Sequence, residues 1–312
     1  MRNIFSWRSL VLSISSRTPR PIIDSEKRIF AVYAGMPFDD GYMEACARIC
    51  DFIKTELENN EFHYKEQHHN RGDFVSINFG ISQGNGKGEG TRLSEGQHAE
   101  LIRRMLDHLD IQRIAAFQDG AYLVATNSRF ADRLLAAFAL WAPLLYEYYW
   151  NVMKRLLEHT GETRNFAKSV FACATMNFGP EVCARRHRDM LNLAFGWCAI
   201  TSLGSFDHTA GGHLVLGEAK LIVEFPAGST FLIPSSCITH SNTPIGEGEF
   251  RASFTQYTAG GVFRWVENGF ETDQRMEVRD KKRHAAVMKE RKGRWEKGLE
   301  KFSTMDQLLE VL

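Results

Sequence analysis

The segment His187-Arg188-Asp189-Met190-Leu191-Asn192 lies inside a stretch, from about residue 166 to 270, that has the pattern of a β-rich domain. In extended backbone, side chains two positions apart point to the same side. His187 and Asp189 therefore present an imidazole and a carboxylate to one point in space. Because a His-x-Asp triplet is common by chance, its meaning depends on the later residues of the same stretch.

Two later segments carry the complementary chemistry. His240, within Ile238-Thr239-His240, brings a second imidazole from a later strand. Two histidines and one carboxylate form a facial triad for Fe(II), which leaves metal positions open for a co-substrate and O2. Arg251-Ala252-Ser253 comes next, and its guanidinium fork and hydroxyl suit the distal carboxylate of 2-oxoglutarate. The combination predicts an Fe(II)- and 2-oxoglutarate-dependent oxygenase.

Each of these residues also has an ordinary structural interpretation. A single histidine is commonly satisfied by a backbone group, and a single arginine such as Arg251 commonly lies on the surface of a strand. The order His-x-Asp, His and Arg-x-Ser within one strand-rich stretch is what makes the oxygenase interpretation specific.

The stretch from 166 to 270 is divided by turn signals such as Pro226-Ala227-Gly228 and Thr209-Ala210-Gly211-Gly212. Between these turns, β-type runs occupy residues 170–178, 196–203, 213–215, 221–225, 230–233 and 250–257. Many short strands with regular turns predict a β-sandwich or barrel.

The flanking regions have a different pattern. Residues 24–165 are predicted to be mainly helical, with helices at 41–58, 94–109 and 129–158, the last one capped by Asn127 and Ser128. A strand is predicted at 71–80, and the glycine-rich loop 84–90 after it lacks the ending of a phosphate-binding loop. Residues 271–312 form a predicted basic C-terminal helix, in which residues 279–301 carry ten Lys/Arg and four Asp/Glu.

Two interpretations of the C-terminal helix stay open. In the first, it packs on the core through Trp295, Leu299 and Phe302. In the second, its basic side chains follow DNA phosphates. The first is favoured, with basic side chains still free to contact DNA.

Composition narrows the class of protein. The 312 residues include 38 Lys+Arg and 38 Asp+Glu, so any basic surface is local. The six cysteines form no CxxC pair, which argues against a zinc ribbon and indicates a reducing compartment, cytosol or nucleus. No run of apolar residues is long enough to predict a membrane span. Residues 1–23 are basic and serine-rich, which predicts a disordered extension or, alternatively, a mitochondrial transit peptide.

Taken together, these residues resemble the TET/JBP branch of the 2-oxoglutarate oxygenases, in particular the expanded group of mushroom-forming fungi. The segment from His187 to Asn192 matches the iron-site motif of that branch. Further motifs match across residues 165–270: Asn192-Leu193-Ala194, Gly196-Trp197-Cys198-Ala199-Ile200-Thr201, Gly211-Gly212-His213-Leu214-Val215-Leu216, Phe225-Pro226-Ala227-Gly228-Ser229 and Phe254-Thr255-Gln256-Tyr257-Thr258-Ala259-Gly260-Gly261.

The resemblance implies an α+β fold: a double-stranded β-helix (jelly-roll) core at 166–270, with an N-terminal helical part and a C-terminal helix. It also implies a role for each matching residue. His187, Asp189 and His240 match the iron ligands, and Arg251, Ser253 and His213 match the residues that contact 2-oxoglutarate. Asn192 matches an asparagine that hydrogen-bonds the target base, and Tyr257 matches a tyrosine that stacks on it.

Geometry supports part of this assignment. Arg251, Ser253 and Tyr257 are separated by even steps, so a regular strand places them on one face, as a shared pocket requires. Asn192 and Tyr257 also have structural interpretations, as a turn cap and as a core aromatic residue. Arg185 and Arg186 flank the iron segment and either contact phosphate or are solvated.

The implied activity is oxidation of a methylated base in double-stranded DNA, flipped into the iron site. The base is 5-methylcytosine, with N6-methyladenine as the second candidate. The chain departs from TET enzymes in having Ala259 where they have a base-contacting histidine, and in lacking their cysteine-rich zinc region and long insert. These departures leave the identity of the base open.

Two other classes of function remain: a hydroxylase of a protein or small molecule on the same fold, and a catalytically idle DNA-binding relative. We expect a monomer with no protein partner and no membrane association. The expected location is the nucleus, with the mitochondrion as the alternative.

Overall fold

Eight antiparallel strands form the main sheet of this computed structural model, which describes residues 10–12, 17–83, 91–93, 96–119 and 136–311. In chain order the strands within these ranges are β1 (Leu10–Leu12), β2 (Arg20–Ile23), β3 (Ile29–Gly35), β4 (His68–His69), β5 (Gly72–Asp73), β6 (Ser76–Ser82), β7 (Thr91–Leu93), β8 (Cys173–Asn177), β9 (Cys198–Ser205), β10 (Leu214–Leu216), β11 (Leu221–Val223), β12 (Thr230–Ile233), β13 (His240–Asn242) and β14 (Phe250–Tyr257).

The strands pair in two principal sheets. The main sheet has the order β2-β3-β12-β9-β14-β8-β6-β7, and a smaller sheet has the order β1-β11-β10-β13. Strands β4 and β5 form a separate two-stranded ribbon. Within the main sheet, Ser253 of β14 lies opposite Asn177 of β8 on one side and Ser202 of β9 on the other. The two sheets form the sandwich expected of a jelly roll, which confirms the predicted fold class.

Helices cover the outer face of the main sheet and follow its last strand. They are α1 (Tyr42–Asn59), α2 (Tyr64–Gln67), α3 (Ala99–Asp107), α4 (Leu109–Gln118), α5 (Ala137–Trp141), α6 (Pro143–Thr160), α7 (Gly260–Glu267), α8 (Asp273–Arg279), α9 (Lys281–Arg291), α10 (Arg294–Leu299) and α11 (Met305–Val311). In α6, Pro143 occupies the first turn, where no backbone donor is lost, and Gly161 ends the helix with a left-handed φ of 71°. None of the described helices is long and apolar enough to cross a membrane.

Two apolar cores result from the alternation of side chains along the strands. On β14, Ala252 and Phe254 join the large core between the main sheet and the helices. Tyr257 instead packs against the core between the two sheets, where Phe225 and Phe231 are buried. Because successive side chains of a strand point to opposite faces, Arg251 and Ser253 share the inner face with Tyr257.

The N-terminal part was predicted to be mainly helical, and it also supplies strands to the main sheet. The helix predicted at 41–58 is present as α1, and the strand predicted at 71–80 is present as β5 and β6. Strand β3 was not predicted. Most of its residues are buried, so its sequence is a continuous apolar run without the alternation that identifies a half-buried strand.

Helix α3 lies within the region predicted at 94–109, and α4 continues the helical part to Gln118. Two helices, α5 and α6, cover the described part of the region predicted at 129–158, and residues 129–135 lie outside the described residues. The predicted caps Asn127 and Ser128 and the glycine-rich loop 84–90 lie outside the described residues. Of the predicted leader, residues 1–9 and 13–16 also lie outside them. Strands β1 and β2 were not anticipated in that segment.

The prediction of a single C-terminal helix is wrong. Residues 273–311 form four shorter helices, and Asp280 caps α9 by accepting a hydrogen bond from the backbone N–H of Arg283. Phe302 is buried as predicted, but Trp295 is 43% exposed. The close contact of α10 is made by Gly298, where an added Cβ would lie 2.2 Å from the ring of Phe195. Helix α10 begins after Gly293, and it presents Gly298, and not Trp295, to the core.

Alanine substitutions distinguish these two aromatic residues. Phe302→Ala is expected to lower the free energy of unfolding by about 3 kcal/mol or more, because a buried ring leaves a cavity. Phe302 is 6% exposed, and the centroid of its ring lies 6.1 Å from that of Trp197. Trp295→Ala is expected to cost less than about 1 kcal/mol. Urea unfolding measures both values, and equal losses would contradict this packing.

Candidate metal centre

His187, Asp189 and His240 converge on one point between the two sheets. One potential ligand atom from each lies within 4.8 Å of the other two. The Nε2 atom of His187 is 3.7 Å from Oδ1 of Asp189, and the Nε2 atom of His240 is 3.9 Å from Oδ2 of the same carboxylate. The two imidazole rings have centroids 4.2 Å apart. Two imidazoles and one carboxylate on one side of a site are the donor set of a facial triad.

Backbone hydrogen bonds hold the two ligand segments together. The N–H of His187 donates to the carbonyl of His240 at 3.0 Å, and the N–H of His240 donates back at 2.9 Å. The N–H of Asp189 donates to the carbonyl of Ser235 at 3.0 Å. The predicted His-x-Asp segment is therefore fixed to β13 as an isolated antiparallel bridge, outside any regular strand of its own.

A hydrogen bond from Nδ1 of each imidazole to a backbone carbonyl leaves Nε2 as the nitrogen that can bind a metal. Nδ1 of His187 lies 2.7 Å from the carbonyl of Arg185, and Nδ1 of His240 lies 3.0 Å from the carbonyl of Ile238. Because a carbonyl only accepts, each Nδ1 carries the proton and each Nε2 keeps its lone pair towards Asp189. Burial also lowers the pKa of His240, which favours the neutral form that binds metal.

Arg251 lies on the inner face of β14 with 1% of its surface exposed. Its Nη1 donates to the carbonyl of Val182 at 2.5 Å, while its Nε has no hydrogen-bond partner. Within the described ranges no carboxylate forms an ion pair with it, and burial lowers its pKa to about 10. Phe206 and Phe225 lie against the guanidinium, at 5.8 and 5.9 Å from Cζ to the ring centroids.

A buried guanidinium without a counter-ion is unfavourable unless a ligand supplies the negative charge. Nε of Arg251 has no partner within the described residues, so it can donate to a bound carboxylate. Ser253 lies two residues on, buried on the same face of the strand. These residues fit the distal carboxylate of 2-oxoglutarate, just as the triad fits Fe(II).

Polar residues that were not predicted from the sequence form the wall beside Ser253. Asn177 donates from Nδ2 to the hydroxyl oxygen of Ser253 at 2.9 Å, and Ser76 donates to Oδ1 of Asn177 at 2.9 Å. One sequence signal was available. Strand β8 is buried along its whole length, yet Thr175 and Asn177 alternate with apolar residues. Alternating polar positions in a fully buried strand indicate a polar inner surface.

His213 makes local contacts just before β10. Its Nε2 lies 2.9 Å from the carbonyl of His208, and its backbone N–H donates to Thr243 at 2.9 Å. No hydrogen bond of its ring within the described residues reaches the triad or Arg251. The contact between His213 and a co-substrate therefore stays a prediction.

Tyr257 is the last residue of β14, and Asn192 lies beside the end of this strand, three residues after Asp189. Asn192 pairs with Ala259 in an isolated bridge and donates from Nδ2 to Ser235 at 3.0 Å. The hydroxyl of Tyr257 donates to Oδ1 of Asn78 at 3.4 Å, and burial raises the pKa of Tyr257. Their contact with a base stays a prediction.

Asn78 also lines a cleft of about 640 Å³. Arg71 and Ser76 also line it, together with His63, Lys65 and His69 among others. Ser76 belongs both to this cleft and to the polar wall beside Ser253, and Asn78 accepts from the hydroxyl of Tyr257, so the cleft adjoins both regions. Its size is within the range of small-molecule sites.

Comparison with known proteins supports the architecture. No protein-family model matches the chain, and no curated protein sequence matches it. Among solved structures, NgTET1 in complex with 5mC DNA superposes with a TM-score of 0.51 at 11% identity, covering 82% of this chain and 84% of that one.

Two further matches have lower scores. OsALKBH1 has a TM-score of 0.37 at 11% identity, covering 77% of this chain and 97% of that one. An oxidoreductase of the 2OG-Fe(II) oxygenase family from Burkholderia pseudomallei has a TM-score of 0.33 at 16% identity, covering 68% and 76%. At such identities the likeness is one of fold. The match to NgTET1 confirms, at that level, the resemblance to TET-type oxygenases.

Removal of one triad side chain should strongly weaken metal binding. Asp189→Ala is expected to lower the affinity for Fe(II) by at least about 100-fold, because the single carboxylate is lost. His284→Ala, on α9, is the matched control and should bind iron as the unaltered protein does. Anaerobic titration with metal analysis of the dialysed protein measures both. Unchanged affinity in Asp189→Ala would contradict the triad.

Substitution of the buried arginine should separate stability from ligand binding. Arg251→Met removes an unpaired buried charge and is expected to raise the free energy of unfolding by about 1–3 kcal/mol without ligand. The same variant should lose detectable binding of 2-oxoglutarate. Urea unfolding and anaerobic calorimetry measure the two effects. A less stable variant that still binds the ligand would contradict this role of Arg251.

Proposed function

We propose that this protein is an Fe(II)- and 2-oxoglutarate-dependent dioxygenase whose substrate is a methylated base in DNA. One observation carries the oxygenase part. A His-Asp-His triad with both Nε2 atoms free lies between the same sheets as a buried arginine that lacks a counter-ion. Metal ligands and a carboxylate anchor together are what a chelating 2-oxo acid needs.

The side chains of this site divide the work of binding and orientation. With 2-oxoglutarate and O2, bound iron supplies an oxidant able to take hydrogen from a methyl group that has no acidic proton. His187, Asp189 and His240 hold the ion, and the Nδ1 hydrogen bonds keep both imidazoles oriented. Arg251 anchors the distal carboxylate, and its aromatic neighbours exclude water, which strengthens that ion pair.

The DNA part of the proposal rests on the resemblance in sequence and on the arrangement around Tyr257. A methyl group inside duplex DNA cannot reach a site between two sheets, so the base must rotate out of the helix. Tyr257 would stack on this base. Asn192 donates only from Nδ2, and its Oδ1 makes no hydrogen bond within the described residues. That oxygen is free to accept from the exocyclic amino group of 5-methylcytosine or N6-methyladenine.

Phosphate contacts are expected near the metal ligands and less from the C-terminal helices. Arg186 adjoins His187 and forms no ion pair within the described ranges, so its charge is available to a phosphate. Four arginines of the C-terminal helices already form ion pairs within the protein. Ion pairs join Arg279, Arg283, Arg291 and Arg294 to Glu267, Glu271 and Asp273.

Two alternative functions are the results that would contradict this proposal. A protein or small-molecule hydroxylase has the same iron site, because fold and cofactor do not fix the substrate. An idle DNA-binding relative would keep the DNA surface without turnover. A DNA substrate also places the proposed function in the nucleus, or in the mitochondrion as the alternative.

Incubation with modified DNA tests the proposal. The protein with Fe(II), 2-oxoglutarate and duplex oligonucleotides containing 5-methylcytosine or N6-methyladenine is expected to yield oxidised or demethylated nucleosides, detected by mass spectrometry after digestion. His187→Ala should yield none, because one iron ligand is lost. Unchanged nucleosides with continued consumption of 2-oxoglutarate would direct the search to protein or small-molecule substrates. Absence of both reactions would overturn the enzyme assignment.

A further inference from the structure

Three hydrogen bonds form a single line from Arg71 to Ser253. Nη2 of Arg71 donates to the hydroxyl oxygen of Ser76 at 2.9 Å. Ser76 donates to Oδ1 of Asn177, and Nδ2 of Asn177 donates to the hydroxyl oxygen of Ser253, both at 2.9 Å. Ser76, Asn177 and Ser253 are all buried and lie opposite one another on β6, β8 and β14.

Arg71, the first residue of this line, decides which residue donates and which accepts in each of its hydrogen bonds. A guanidinium has donors and no acceptor, so Ser76 accepts from Arg71 and directs its own proton to Oδ1 of Asn177. The amide of Asn177 then presents Nδ2 to Ser253. The opposite amide orientation would leave the proton of Ser76 without an acceptor in a buried position, which is unfavourable.

The last member of the line has a free proton. Ser253 accepts from Asn177, so its own hydroxyl proton needs another acceptor. Ser202, opposite Ser253 on β9, does not supply one, since its buried hydroxyl has no hydrogen-bond partner. Nε of Arg251, on the same face of β14, is also without a partner. Two buried polar atoms, Oγ of Ser202 and Nε of Arg251, thus lack partners beside Ser253, whose own proton has no acceptor within the described residues.

We propose that Ser76 and Asn177 are positioning residues for the co-substrate: their hydrogen bonds orient the hydroxyl of Ser253 as a donor to the distal carboxylate of 2-oxoglutarate. This inference rests on the proposed function. It also connects two regions of the molecule, because Arg71 and Ser76 line the cleft while Ser253 lies on the inner face of β14, two residues from Arg251. Loss of the line leaves Ser253 free to turn its lone pair towards the anion.

Two substitutions test the line by anaerobic calorimetry with Fe(II) and 2-oxoglutarate, where no turnover occurs. Asn177→Asp has the same shape but cannot donate, so it captures the proton of Ser253 and is expected to weaken binding at least about tenfold. Ser76→Ala adds no charge and is expected to weaken binding by about threefold to tenfold. Affinity for Fe(II) alone should be unchanged in both.

A matched control and a second background separate orientation from general damage. Thr201 of β9 is a buried hydroxyl that accepts from Gln118 at 2.8 Å. It points to the helical side, opposite to Ser202, so Thr201→Val should bind 2-oxoglutarate normally. Ser76→Ala should have no further effect when combined with Ser253→Ala, because the two then remove the same donor.

The outcomes are distinct. Weaker binding in Ser76→Ala that disappears in the Ser253→Ala background supports the inference. An equal loss in both backgrounds, or normal binding by Asn177→Asp, overturns it while the unaltered protein still binds and Arg251→Met does not. If the unaltered protein itself binds no 2-oxoglutarate in the presence of Fe(II), the proposed function fails, and this inference fails with it.

Discussion

The two backbone hydrogen bonds between His187 and His240 are the constraint on which the site depends. The segment between β8 and β9 has no regular strand of its own, and this bridge fastens it to the smaller sheet. It places two imidazoles side by side and brings Asp189 between their Nε2 atoms. The carbonyls of Arg185 and Ile238 then fix the tautomers, so a metal site follows from backbone geometry as much as from the ligands themselves.

The main sheet serves two opposite purposes on its two faces. Its outer face packs against helices through residues such as Phe254, and this contact supplies most of the apolar core. Part of its inner face is polar although buried, with Arg251, Ser253 and Asn177 in neighbouring strands. Such a wall is costly in an apolar interior unless its groups are paired. Within the described residues the pairs are made inside the wall except at Nε of Arg251, the hydroxyl of Ser202 and the proton of Ser253, and a carboxylate would fit there.

Local patterns explain what could be predicted from the sequence. The triad, Arg251 and Ser253 are recognisable from residue type, from their order in the sequence and from the two-residue spacing that places strand side chains on one face. Helix α1 is recognisable from the helical spacing of its apolar residues. The polar wall was missed because Ser76 and Asn177 meet only through strand pairing between distant parts of the chain. The same reason applies to β3, whose partner strand β12 lies far away in sequence. In the C-terminal region, composition predicts one helix, but the cap at Asp280 begins a new helix and the contact of Gly298 with Phe195 leaves Trp295 exposed.

The most direct test of the account is whether metal and co-substrate bind to one site. If one end of 2-oxoglutarate binds at the metal held by the triad and the other end pairs with Arg251, each ligand must raise the affinity for the other by the same factor. Anaerobic titration of 2-oxoglutarate with and without Fe(II), and of Fe(II) with and without 2-oxoglutarate, measures both factors. Equal enhancements, lost in Arg251→Met, are the predicted result. Independent binding of the two ligands, or no binding of 2-oxoglutarate, would contradict it.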